Sequence, residues 1–404
     1  MNTAVQNFDT LLDNALKRPD DFMSLVLPEL QDPQQAHYEA LLRVLEEGNV
    51  SAKQLVASLF IEKLGKGGAR FLVAKLDLNR PRLFAEIAAI VGEIGCIDAF
   101  AKLKSAVSEE YPTLVLPAMR AISMLPASEQ IDELFINYLL KFKDEKLISP
   151  GIKYLLPRQQ RLVPQLVDSY QSLDEDRKMW VLKFFAETGN EYLIELFAAE
   201  LDRAPLEAGL YSVAGLGKIQ SDKAVEILAR HLNNPEWFLR KRIVESLGQT
   251  GQASAIDPLL IMLNDKSAQV QAAAVESLSK VGNLAADKLV KKMASSNQKE
   301  KVNLIRAMGQ LKNEKFVQPL IDNLREQNML FFTIDALGDL GCEKACAPLK
   351  RLLSHKIWFN RLNALEALVK LNAEDLRQLA QEAMNDDNDM VRNAAARILD
   401  SIQN

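Results

Sequence analysis

Cysteine is almost absent, with 3 in 404 residues. An odd trio cannot make a disulfide framework, and it fits a reducing compartment. Aromatics reach only 6%, and there are just 17 glycines and 15 prolines. With so few helix breakers, long stretches can stay helical. No apolar run approaches the ~18 residues that mark a membrane span. Met1 to Lys17 carries Asp9 and Asp13 and has no basic or apolar signal region, so no cleaved leader is expected. A cytoplasmic protein is the resulting expectation. Positive charge is not in surplus either: the formal net charge is −5. A protein built to grip nucleic-acid phosphates would usually be basic, so that class is disfavoured. The remainder is ordinary for a folded chain, 48% hydrophobic and 25% charged.

What the sequence does have is a repeat. A small residue, a long apolar one and Gly recur as Ser246-Leu247-Gly248, Ala307-Met308-Gly309 and Ala336-Leu337-Gly338. With the middle residue as anchor, the series runs Phe60, Val91, Ile122, Tyr154, Phe185, Leu216, Leu247, Leu278, Met308, Leu337, Leu368, Leu399. The steps keep to a period of about 31 residues, the signature of a repeat architecture. Each period reads as two helices. An apolar pair such as Ile227-Leu228 or Leu259-Leu260 follows each anchor, then a break such as Asn233-Asn234-Pro235, then a stripe such as Leu239, Ile243, Leu247 at helical spacing. Gly248, Gly309 and Gly338 are expected as helix C-caps tolerant of positive φ. Asn190, Ser221, Asn283 and Asn313 are expected as N-caps. A hairpin this short cannot bury its stripes alone, so neighbours must stack. The fold predicted is an all-α solenoid, a right-handed superhelix of about twelve hairpins without sheet.

Asn234-Pro235-Glu236-Trp237-Phe238-Leu239-Arg240, with Ile243-Val244 and Ser246-Leu247-Gly248, resembles the short HEAT-like repeat of bacterial proteins, the kind known from phycobilisome lyases. Asp386 to Leu399, with Val391-Arg392-Asn393-Ala394-Ala395, is a second good copy. The likeness is strong over 206–404 and degenerate over 51–205. Residues 1–50 read as an atypical N-terminal cap with helices near 4–17, 21–30 and 36–47. The resemblance implies that arginines seven residues before the anchor, Arg240, Arg361 and Arg392, form a structural ladder with the adjoining turns, where Asp265 and Asp386 stand.

Chemistry is sparse. None of His37, His231 and His355 is followed by Glu, which excludes the His-Glu ligand ring of a di-iron hydroxylase. Cys342 and Cys346 share a helix face but lack the further ligands of a closed zinc site. No phosphate loop or nucleophile elbow occurs. Neither cofactor, metal nor catalytic residue is assigned.

The second helix of each hairpin lines the concave side in such solenoids. Two residues before the anchor, charge recurs at Lys183, Glu245, Glu276, Arg306, Asp335, Glu366 and Arg397. Three to four residues earlier, on the same face, stand Met179 and Trp180, Tyr211, Arg242, and Phe331 with Phe332. Aromatics and Arg are enriched at binding hot spots, so these residues are the candidate partner-binding stripe, the alternative being that they turn inward as core. Trp237-Phe238 and Trp358-Phe359, at the hairpin turns, are expected to pack against their own repeats. The function expected is a non-catalytic scaffold or adaptor holding another protein in its groove. A phycobilin lyase-like, chromophore-handling protein and a HEAT-like DNA-binding protein are the alternatives.

Overall fold

The computed structural model describes residues 2–203 and 206–403, with side chains described outside 2–7, 206, 283–284 and 403. The chain is an all-α solenoid of helical hairpins. Among the described residues it contains α-helices, short 3-10 turns, one π turn at Phe60–Leu64 and no strand. No described helix is long and apolar enough to cross a membrane. Contacts divide the chain into two compact units, Met1–Phe184 and Phe185–Asn404. The division expected after residue 205 falls on Ala204 and Pro205, outside the described residues.

The first unit opens with helices Asn2–Leu16, Phe22–Val26 and Gln35–Glu47, which close over Phe8, Leu12, Phe22 and Leu41. Hairpins follow, with second helices Val50–Leu59, Pro81–Glu93 and Pro112–Met124. Proline at the first helical position starts the latter two, where its missing N–H costs nothing. The next second helix, Glu145–Gly151, is cut short and continues as the 3-10 turn Ile152–Tyr154. That tightening displaces the register by one residue. Tyr154, expected as an anchor, is only half-buried, and Leu155 takes the core position at 0% exposure.

In the second unit the second helices are numbered here α1 (Leu206–Lys218), α2 (Trp237–Gln249), α3 (Ala268–Val281), α4 (Gln298–Gln310), α5 (Leu330–Leu340), α6 (Trp358–Lys370) and α7 (Asp389–Gln403). Their anchors, Leu216, Leu247, Leu278, Met308, Leu337 and Leu368, are fully buried. Leu399, in the last helix, is half-buried against the cluster of Leu365, Ala380, Ala395 and Ile398.

Gly248, Gly309 and Gly338 are not C-caps. Each lies within its helix, and none has positive φ. A methyl group added at Gly248 would stand 2.5 Å from Ser277 Cβ, and one at Gly309 2.7 Å from Ala336 Cα. The recurring phrase therefore has another cause. The glycine after one anchor faces the small residue before the next, and the absence of a Cβ lets adjacent second helices touch backbone to backbone. The left-handed conformation falls three residues later, four past the anchor. It is taken there by Gly251, Gly282 and Gly341, and by Lys312 and Asn372 in the hairpins that lack a glycine. N-capping follows the sequence reading except at Asn283. Asn190, Ser221 and Asn313 accept hydrogen bonds from the amides of Tyr192, Lys223 and Lys315 at 3.0–3.3 Å. Asn283 is not an N-cap: it is the first residue of the helix Asn283–Ser295, and Gly282 before it, with positive φ, takes the cap position.

Candidate protein-binding face

The position seven before the anchor points inward. In the first unit it is apolar at Phe84 and Val115, both essentially unexposed, and lysine at Lys53 and Lys178. In α2 it is Arg240, whose guanidinium is 3% exposed and therefore needs every donor met. Nε and Nη2 donate in a fork to the Asp265 carboxylate at 2.8 Å each, and Nη1 donates to the carbonyls of Asn234 and Pro235. Arg361 in α6 repeats this. It donates to both Asp386 oxygens at 2.6–2.7 Å and to the His355 carbonyl at 2.9 Å. Arg392 reaches the Asp386 carbonyl at 2.6 Å, as Gln271 reaches that of Asp265. Burial pushes Asp265 up, but the Arg240 hydrogen bonds and the Ser267 amide bring it below the usual carboxylate value. The Arg361 hydrogen bond lowers Asp386 to about 2. Arg240 and Arg361 thus join their second helices to their own and the next turn, while Arg392 holds only its own turn. In α5 the position is Leu330, and the turn is tied instead by Asn323 Nδ2 donating to Thr333 Oγ1 at 2.8 Å.

The stripe residues occupy both units. Trp180 lies in the first unit, half-buried, with Lys183 Nζ 5.2 Å from its ring centroid. Lys183 also donates to Ser149 Oγ at 2.8 Å, and Met179 is half-buried beside Trp180. Tyr211 and Arg242, in the second unit, are half-buried too. Arg242 Nη1 lies 3.4 Å from Glu245 Oε2 on its own helix, which blunts its charge.

Phe331 and Phe332 form part of a larger assembly. Their rings meet edge to face at 5.1 Å, and Phe331 stacks on Phe359 of α6 at 5.4 Å and 23°. Phe359 meets Trp358 edge to face at 5.6 Å, and the Arg306 guanidinium of α4 lies 4.9 Å from the Phe332 centroid. A chain of four rings and one cation thus crosses α4, α5 and α6. It is wet: Phe331, Trp358 and Phe359 are 37%, 37% and 41% exposed, and Ile357 and Met390 flank it, also exposed. Trp237 is exposed as well. Trp237, Trp358 and Phe359 thus do not pack away into their own repeats as expected, whereas Phe238 is half-buried.

The profile of the HEAT repeats family matches residues 194–279 and 326–400. These two stretches are similar to HEAT repeats. The four rings of the aromatic chain lie within the second matched stretch, and Arg306 lies in the interval between the two matches. Among solved structures, the chain is similar to the karyopherin Kap121p bound to the extreme C-terminus of the protein phosphatase Cdc14p. The identity is 11%, 98% of this chain and 54% of that one are covered, and the TM-score is 0.52. Kap121p alone gives 11% identity, 98% and 53% coverage and a TM-score of 0.50. An engineered protein matches at 16% identity over 96% of this chain and 99% of that one, with a TM-score of 0.34. The chain spans about half the length of the Kap121p chains, and the likeness to them is one of fold. A search of curated protein sequences returned no match.

Sequence reasoning missed two features. One is the part played by Trp358 and Phe359 in the ring chain. The other is a buried charge cluster in the first unit, where Arg158 and Asp132 are 6% and 2% exposed. There Arg158 Nη2 donates to the Leu125 carbonyl at 2.7 Å, and Arg161 Nε stands 2.5 Å from Asp132 Oδ2. Nothing in the repeat register marks a carboxylate and an arginine 26 positions apart as neighbours.

Proposed function

We propose that this protein is a non-catalytic interaction scaffold that binds another protein on its second-helix face. The observation that carries this reading is the exposed ring chain from Phe332 through Phe331 and Phe359 to Trp358. Large aromatic surface left in water on two adjacent helices is costly unless a partner covers it, and such patches mark interaction sites. Phe331, Phe332 and Phe359 form its centre. Met179, Trp180 and Lys183 are a separate candidate contact in the first unit, and Tyr211 and Arg242 another in the second. The structural relatives add indirect support: one was solved with a segment of another protein bound. The alternatives gain no comparable observation. The charged positions of the second-helix face alternate in sign, with Glu245, Asp335 and Glu366 among its cations, so it offers no continuous basic surface for a DNA backbone.

Affinity capture with the wild-type protein, repeated with Phe331→Ala/Phe359→Ala, tests this. Each ring at a hot spot should contribute more than about 1 kcal/mol to binding, so the double variant should lose captured partner while keeping its helical circular dichroism. Equal capture by both proteins would contradict the reading.

A further inference from the structure

The surroundings of the ring chain are electrostatically uneven. The acids near it each have a cation of the protein within ion-pair distance. Lys370 Nζ donates to both Asp335 and Asp339 at 2.7 Å, and Glu366 has Arg397 Nη2 at 3.9 Å. The cations at its edges are not so paired. Arg306 is exposed, and its one recorded neighbour is the Phe332 ring. Lys356, exposed, stands in the turn immediately before Ile357 and Trp358, and Lys299 lies two helical turns before Arg306 on the same face of α4. Among the described residues none of the three has a carboxylate within ion-pair distance. Arg325 and Glu326, adjacent in the turn before α5, are of opposite sign and add no net charge. In a chain of net charge −5, an apolar strip is thus bordered at both ends by unpaired positive charge.

Charge complementarity fixes the chemistry of what such a strip accepts. We propose that it binds a linear acidic peptide segment of a partner protein. Bulky apolar side chains of that segment would seat on Phe331, Phe359 and Trp358, and flanking carboxylates would meet Arg306 and Lys356. This rests on the reading of the second-helix face as a binding face and adds the class of partner. A single-stranded nucleic acid fits less well. The rings alternate edge to face, at 70° and 80°, and so do not offer a row of parallel faces for bases.

The test is selection of a random displayed peptide library on the full-length protein, followed by fluorescence polarisation with the enriched peptides. The enriched sequences should pair an aromatic or long aliphatic residue with Asp or Glu. Their affinity should fall at least about tenfold with Phe359→Ala. It should also fall with Arg306→Glu, a surface change that leaves the core untouched, and with replacement of the peptide acids by Lys. Enrichment of basic peptides, or affinities indifferent to Phe359→Ala and Arg306→Glu, would overturn the proposal. So would the absence of any enriched peptide, including a case where a single-stranded oligonucleotide binds through Arg306. Acidic peptides lost on Trp180→Ala but not on Phe359→Ala would overturn it too, while leaving the scaffold reading standing.

Discussion

Between Gly248 and Ser277 there is no room for a methyl group, and this contact explains why the repeat is written as it is. Gly248→Ala should destabilise the second unit by about 1–3 kcal/mol, the usual cost of overpacking. Ser277→Gly in the same chain should recover part of that loss, because the clash partner is the Ser277 Cβ. Thermal denaturation of the two single variants and the double variant checks this. The Arg361–Asp386 pair gives a pH dependence. Its carboxylate falls from the ordinary 3.8 to about 2 in the folded protein, through the Arg361 hydrogen bond first. A depressed carboxylate stabilises the fold above its unfolded value. That contribution is lost as pH drops through the folded one, and here amounts to about 2 kcal/mol. Urea midpoints should therefore decline between about pH 4 and pH 2, and Asp386→Asn should flatten the decline. The sequence showed that Arg240 and Arg361 share a register, and the resemblance implied their pairing with the turns of Asp265 and Asp386. It could not show that Gly248 is a contact residue and not a cap, because a glycine at a helix end satisfies either demand. Only the neighbour across the interface distinguishes them.

At the level of the helix and hairpin, the 31-residue period was legible because each anchor must be apolar whatever its neighbours do. It blurred where the hairpin itself changes. At Tyr154 a helix truncated to Glu145–Gly151 shifts the core to Leu155. The ring chain was half legible. Phe331 and Phe332 were visible as exposed-face positions, but their partner Phe359 sits three residues earlier in its own register. The two meet because α6 is offset from α5 by about one turn, and a register compares equivalent positions without such offsets. Hairpins that touch mainly their neighbours should also respond locally to damage. Leu278→Ala in α3 removes a fully buried side chain and should cost about 2–5 kcal/mol. Hydrogen exchange should then quicken in α2, α3 and α4 before it does in α6 and α7. Uniform loss of protection across the second unit would contradict this.

For the molecule as a whole, the central claim is that one face, built from second helices, meets a protein partner. The face opposite also carries apolar exposure, since Ile261 on a first helix is 69% exposed. Exposure alone therefore does not decide between them. What separates the two is organisation: Ile261 stands without a recorded aromatic neighbour, whereas Phe331 and Phe359 belong to a stacked chain edged by unpaired cations. The most direct measurement is site-specific photo-crosslinking in living cells, with a benzophenone side chain placed at Phe331, at Phe359 and at Ile261 in turn. The account predicts a discrete protein adduct from Phe331 and from Phe359, diminished by Arg306→Glu, and none from Ile261. Adducts from Ile261 alone, or equal adducts from all three positions, would contradict it.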